Sequence, residues 1–194
     1  PDVMAFASYP IFPFFHFALF EHLNYFSDDT LTRTFADEGF ETVQTGANVY
    51  HMAEHVLNPM VWGIFRKAES GKRLTPAKSE SRKGAEAYVA QSHDNLLEAH
   101  SSIAELASNR QPVFVWGACV ELFALISHTD LLTCNIQSII DNNPEKQTKT
   151  VRGIPIEGSH VLANATSDAM VLIVSTIHAT NMLAELDAIG YRGK

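Results

Sequence analysis

Glu21 and His22 are adjacent residues whose side chains could exchange a proton with a substrate. They end an apolar segment, and Phe17 and Phe20 lie just before them. Histidine has an intrinsic pKa near neutrality, and aromatic surroundings raise the pKa of a glutamate toward that range. Removing a proton next to a carbonyl group requires such a base within hydrogen-bond reach. The two residues are therefore candidates for acid–base catalysis; the alternative is a chance pair at the end of a core segment.

A second group, His51, Glu54 and His55, matches the H-x-x-E-H pattern of inverted zinc peptidases. That pattern needs a long helix and a third ligand further along the chain. Asn58 and Pro59 end the segment soon afterwards. A solvated helix turn or a loop at a pocket is the simpler interpretation, and we expect no metal in this protein.

The second half of the chain contains continuous apolar runs that alternate with helical patterns. Strands are predicted at 113–116, 137–141 and 170–175, and helices at 120–126 and 181–189. Such alternation favours a parallel sheet covered on both faces. The fold class predicted for this half is α/β, with a Rossmann-like sheet of at least three parallel strands.

The first half has a different pattern. It predicts a helix at 29–38 and strands at 41–45 and 61–67. A polar and charged stretch at 68–82 has little to bury and is predicted to be a linker. An amphipathic helix at 83–107 follows it.

Composition limits the partners. The 194 residues carry a formal net charge of −8, which argues against a nucleic acid or an anionic membrane as the main partner. The two cysteines have no metal-ligand spacing, so we expect a reducing, cytoplasmic location. The sequence favours no particular oligomeric state.

The strand-to-turn junction at Gly117 invites comparison with a dinucleotide fingerprint. That fingerprint needs three glycines, and here Gly117 stands alone with Cys119 at the second position. We therefore do not expect NAD. Asp141 follows the next strand, where it either meets a ribose or caps the turn at 142–144.

Two stretches of the sequence resemble S-adenosylmethionine (SAM)-dependent sugar C-methyltransferases. The first comprises Phe20-Glu21-His22-Leu23-Asn24-Tyr25-Phe26-Ser27, Thr30-Leu31 and Glu38-Gly39-Phe40-Glu41-Thr42-Val43. It resembles the end of the catalytic domain. The second comprises Val115-Trp116-Gly117-Ala118, Ile140-Asp141-Asn142-Asn143-Pro144-Glu145-Lys146-Gln147 and Gly153-Ile154-Pro155-Ile156. It resembles the C-terminal domain that these enzymes carry.

The resemblance implies roles for particular residues. Glu21 and His22 would be catalytic and Tyr25 would bind the substrate, while Gly117, Asp141 and Ser175 would line a crevice that helps to bind a nucleotide-sugar. The tyrosine that assists the base in the family has no counterpart, because Leu19 and Phe20 occupy its two possible places. SAM would be the cofactor, with its site mostly outside this chain, because the family's Gly-rich turn is not in this sequence.

The resemblance also sets the expected organisation. Residues 1–67 would be the remnant of a methyltransferase catalytic domain, 68–82 the linker, and 83–194 the Rossmann-like domain with its leading helix. The expected function is C-methylation of a small keto substrate, a nucleotide-linked deoxysugar, as part of a longer chain. The alternative is a non-catalytic Rossmann-like module that binds a nucleotide-sugar or a protein partner.

Overall fold

A computed structural model describes residues 24–53, 56–69 and 81–193. The chain divides into two compact units, Pro1–Asp94 and Asn95–Lys194. The candidate catalytic residues Glu21 and His22 lie outside the described residues, as does most of the predicted linker. The domain boundaries given above therefore remain predictions.

In the described part of the first unit, the first helix is α1 (Asp28–Asp37). Ser27 is its N-cap: the Ser27 hydroxyl accepts a hydrogen bond from the Thr30 N–H, and the Thr30 hydroxyl accepts one from the Ser27 N–H. This reciprocal pair satisfies two backbone donors that the first turn leaves free. Gly39, with φ +81°, then turns the chain into the first strand, in agreement with the helix predicted at 29–38.

Strands β1 (Phe40–Ala53) and β2 (Val56–Lys67) form an antiparallel hairpin. Phe35 of α1 stacks on Phe65 with the ring centroids 3.9 Å apart, and it meets Phe40 edge-on at 5.9 Å. The helix thus covers one end of one hairpin face. On the other face Trp62 lies over Gly46, its direct partner across the ladder. The strands predicted at 41–45 and 61–67 are confirmed, but both are longer than predicted.

The hairpin changes the interpretation of the H-x-x-E-H pattern. His51 lies in β1 and pairs with Leu57 of β2, so the helix that this zinc motif needs does not exist at His51. Glu54 and His55 lie outside the described residues. Among the residues that the structure describes, no group of three or more His, Cys, Asp or Glu side chains could hold a metal ion.

Helix α2 (Ser81–Asn109) runs from the first unit into the second. The second unit continues with strand β3 (Pro112–Trp116), helix α3 (Val120–His128), strands β4 (Asn135–Ile140), β5 (Thr150–Val151), β6 (Ile154–Glu157) and β7 (Met170–Ile173), and helix α4 (Ala179–Ile189). Short 3-10 turns occupy Leu131–Thr133 and Ser159–Asn164. Within the described residues of this unit, no other helix or strand is present.

The sheet has the order β5-β6-β4-β3-β7. The β3–β4, β3–β7 and β4–β6 pairs are parallel, and β5–β6 is antiparallel. The second unit is therefore a mixed α/β structure with a five-stranded, mostly parallel, Rossmann-like sheet, as predicted. The small β5–β6 hairpin was not predicted; its turn places Arg152 at φ 52° and Gly153 at φ 84°.

The core covers both faces of the sheet. On the α4 face a buried cluster is built from Phe114, Trp116, Ile140, Leu162 and Ala169, with Met182, Leu186 and Ile189 of α4 packed against it. Side chains alternate along a strand, so Val113 and Val115 point to the opposite face, where they are fully buried. None of the described helices is both long and apolar enough to cross a lipid bilayer.

Candidate functional site

The carboxyl ends of the parallel strands define the candidate site. In the sheet, β4 lies on one side of β3, and β7, the last strand of the chain, lies on the other side of β3. In open α/β sheets, ligands bind at the carboxyl ends of the strands, at the point where the strand order reverses. Here that point lies between the ends of β3 and β7, at Gly117 and Ser175.

Gly117 and Ser175 lie next to each other, after the ends of β3 and β7. The Gly117 N–H donates to the Ile140 carbonyl at 2.8 Å, and the Val174 N–H donates to the Trp116 carbonyl at 3.0 Å. A Cβ atom added to Gly117 would lie 3.2 Å from Ser175 Cβ, 3.2 Å from Val174 Cγ2 and 3.3 Å from Cys119 Sγ. The structure thus brings two of the predicted site residues together. The space beside Gly117 in this turn is already occupied by neighbouring side chains.

Asp141 is fully engaged by neighbouring groups. Its Oδ2 accepts hydrogen bonds from the Ala118 N–H at 3.0 Å and from Lys146 Nζ at 2.8 Å, while its Oδ1 accepts one from the Asn143 N–H at 2.9 Å. The last bond is the turn cap that the sequence offered as one role for Asp141. The carboxylate also ties the start of α3 to the loop after β4.

The charge state of Asp141 follows from these contacts. Burial by itself would raise its pKa, but the hydrogen bonds from Lys146 and from the Asn143 and Ala118 N–H groups, with the Lys146 charge, hold the pKa below its usual value. Lys146 Nζ also donates to the Ala118 carbonyl at 3.0 Å. Asp141 is therefore a stable anion, neutralised locally by Lys146.

Cys119 sits at the N-cap of α3 without a side-chain cap hydrogen bond. Burial, together with the hydrogen bond and the negative charge of Glu121, raises the pKa of the Cys119 thiol to about 12. A nucleophilic cysteine needs the opposite shift. Glu121 is itself buried in the first turn of α3, where its carboxylate occupies the end of the helix that attracts anions.

A further contact was not foreseen from the sequence. Glu185 of α4 accepts a hydrogen bond from Asn142 Nδ2 at 2.8 Å and another from the Ser159 hydroxyl. Asn142 follows β4 and Ser159 follows β6, so one carboxylate joins two loops at the carboxyl edge of the sheet. Because Asn142 and Glu185 are distant in sequence, local pattern contains no signal for this contact.

Tyr25 lies in the first unit, just before α1, and is half-buried. Of the residues predicted to bind substrate, it is the one placed outside the Rossmann-like unit. Its role, like those of Gly117, Asp141 and Ser175, stays a prediction.

The Gly117 turn does not fit a nucleotide cofactor. A phosphate-binding turn needs space next to its glycines and a free helix N-terminus. Here Ser175, Val174 and Cys119 fill the space, and Glu121 places a carboxylate in the first turn of α3. Neither SAM nor a dinucleotide matches this turn.

Comparison with known proteins adds no assignment: no protein-family model and no curated protein matches the chain.

Proposed function

We propose that this chain is the rear part of a SAM-dependent C-methyltransferase that acts on a nucleotide-linked deoxysugar. The observation that carries the proposal is where the resembling residues fall in the fold. Glu38 to Val43 lie at the junction of α1 and β1, in the helix-then-strand order that the resemblance implies. The second stretch supplies the turn after β3 and the loop after β4, which Asp141 connects.

The proposed chemistry is a proton transfer followed by a methyl transfer. Glu21 and His22 are the proposed acid–base pair, and the base removes a proton from the carbon next to the ketone of the sugar. SAM would supply the methyl group to the carbon that the base deprotonates, and its sulfur would be the leaving group. SAM supplies only the methyl group; residues outside this chain would hold most of the cofactor.

The test uses the parent protein with a keto-sugar nucleotide as substrate. His22→Ala and Glu21→Gln should each lower the rate of methyl transfer by at least about 100-fold, the usual contribution of a general base. Exchange of the α-proton with deuterated water should fall by a similar factor, because it reports the proton transfer alone. His93→Ala, at an exposed position of α2, is the matched control. Full activity in both variants would reject these residues as the acid–base pair.

A second candidate is a non-catalytic module that binds a nucleotide-sugar or a protein partner. The filled Gly117 turn and the exposed apolar residues Val120 and Phe123 on α3 support the form of this candidate that binds a protein partner. Binding of a keto-sugar nucleotide by the parent protein, without any α-proton exchange or methyl transfer, would favour this candidate over the enzyme.

A further inference from the structure

Glu185 lies on helix α4 and holds two loops, those after β4 and β6, to neither of which it belongs. Its Oε2 accepts from Asn142 Nδ2 at 2.8 Å, and its Oε1 accepts from the Ser159 hydroxyl. Hydrogen bonds to an ionised acceptor are roughly twice as strong as those between neutral groups. Glu185 is half-buried, which limits competition from water.

The position of Glu185 is fixed by the packing of its own helix. Met182, Leu186 and Ile189 of α4 pack against the buried cluster around Trp116 and Ile140. A carboxylate on a helix anchored in this way has little freedom to follow a moving loop. The hydrogen bonds of Glu185 thus link both loops to a helix that is packed on the core.

The loop after β4 is also held from the other side. Asp141 binds the Ala118 N–H and Lys146, and the Gln147 side chain donates to the Asp141 carbonyl at 2.9 Å. Asn142, one residue further on, is bound by Glu185. Two independent sets of contacts thus hold adjacent residues of this loop, one set through the start of α3 and the other through α4.

We propose that Glu185 is a positioning residue that preforms the carboxyl edge of the sheet for a ligand. It does so by fixing Asn142 and Ser159, each of which donates a hydrogen bond to one oxygen of the carboxylate. The identification of the ligand as a nucleotide-sugar rests on the proposed function. The positioning of the loops rests on the contacts alone, so the positioning and the binding of the ligand can be tested separately.

The first measurement is amide hydrogen exchange of the full chain. Glu185→Ala should accelerate exchange in residues 142–149 and 158–165 by about tenfold, the effect of losing about 1.4 kcal/mol of local stability. Glu185→Gln should restore most of the protection, because its amide oxygen can accept from Asn142 while its NH₂ group donates to Ser159. Asp187→Ala, an exposed change on the same helix, should leave both segments unchanged. Unchanged exchange in Glu185→Ala, or equal acceleration in Asp187→Ala, would overturn the positioning role.

The second measurement is a calorimetric titration of the same variants with UDP-glucose. If the wild-type chain binds it, Glu185→Ala should weaken binding by about tenfold or more, while Glu185→Gln should bind within a few-fold of wild type. Equal binding by wild type and Glu185→Ala would overturn the link between this carboxylate and the ligand. Absence of binding by the wild-type chain would count against the proposed nucleotide-sugar site, and the exchange experiment would still decide the role of Glu185.

Discussion

Gly117 combines two constraints that a single methyl group would violate. Its φ of +122° lies where side chains are strained, and its Cβ position is closed by Ser175 and Val174 at 3.2 Å. We expect Gly117→Ala to lower the free energy of unfolding of the second unit by about 2–4 kcal/mol, as strain and crowding act together. Urea unfolding followed by the fluorescence of Trp116, in a Trp62→Phe background, would measure the loss.

Gly153 provides the control, because it has a φ of +84° and no atom within 4 Å of its Cβ position. Gly153→Ala therefore tests backbone strain without crowding and should cost about 1–2 kcal/mol. Equal losses in the two variants would show that the contact with Ser175 and Val174 contributes nothing.

Asp141 and Lys146 make the stability of the loop after β4 dependent on pH. The folded pKa of Asp141 lies below the ordinary value of 3.8. The stabilisation from its ionised form is therefore complete above pH 3.8 and is lost as the pH falls through the folded pKa. Lys146→Gln removes the ammonium group, so the pKa of Asp141 should rise above its wild-type value. Carboxyl chemical shifts measured through an acid titration would report it directly.

Lys149→Gln is the matched control for that titration, since Lys149 is an exposed lysine in the same loop. This variant should leave the pKa of Asp141 unchanged. If both glutamine variants shifted Asp141 equally, the general charge of the loop would explain the low pKa, and the 2.8 Å contact with Lys146 would not.

At the scale of elements, helix α1 depends on its N-cap residue, Ser27. Ser27 is almost fully buried and exchanges two hydrogen bonds with Thr30. Ser27→Ala should cost about 1 kcal/mol, the usual loss for an N-cap, whereas Ser27→Thr should keep most of the stability. Thermal unfolding followed by the fluorescence of Trp62 would report the first unit. A Ser27→Ala protein as stable as wild type would indicate that the packing of Phe35 on Phe65 alone holds the helix.

The elements that the sequence predicted well are those with a strong local signal. The three strands predicted in the second unit, β3, β4 and β7, contain apolar runs, and α4 ends at Ile189 with Gly190 as its C-cap, at φ 73°. The full hairpin of β1 and β2 was missed, since its outer half is defined by cross-strand pairs such as Tyr50 with Asn58, which local alternation does not encode. The β5–β6 hairpin was missed because its strands are so short.

At the candidate site, too, residues with a local sequence signal were predicted, and contacts between distant segments were not. The predictions picked out Gly117 and Asp141 from residue type and from position after a strand. They could not foresee that Ser175 fills the Gly117 turn, or that Glu185 joins Asn142 to Ser159, because these contacts depend on how distant segments pack. Glu21 and His22 rest on residue type and on the resemblance, since they lie outside the described residues.

For the whole molecule, the decisive question is where a nucleotide cofactor could bind. The Rossmann-like unit has the sheet order β5-β6-β4-β3-β7; the first turn of α3 carries Glu121, and the Gly117 turn is closed by Ser175. The carboxyl edge is where open α/β sheets bind ligands, while the contacts around Gly117 oppose a phosphate in this one turn. The local contacts should dominate, because a buried carboxylate would repel an added phosphate in a medium of low dielectric constant.

We therefore expect no binding when this chain is titrated calorimetrically with S-adenosylhomocysteine. Glu121→Gln is a useful companion, since it removes the repulsion but leaves the turn filled, and it should not create a site either. Binding by the wild-type chain at one equivalent would place the cofactor site within these residues and contradict the assignment of SAM to residues outside them. Binding by Glu121→Gln alone would instead identify the carboxylate, and not the packing of Ser175 on Gly117, as the feature that excludes a nucleotide from this turn.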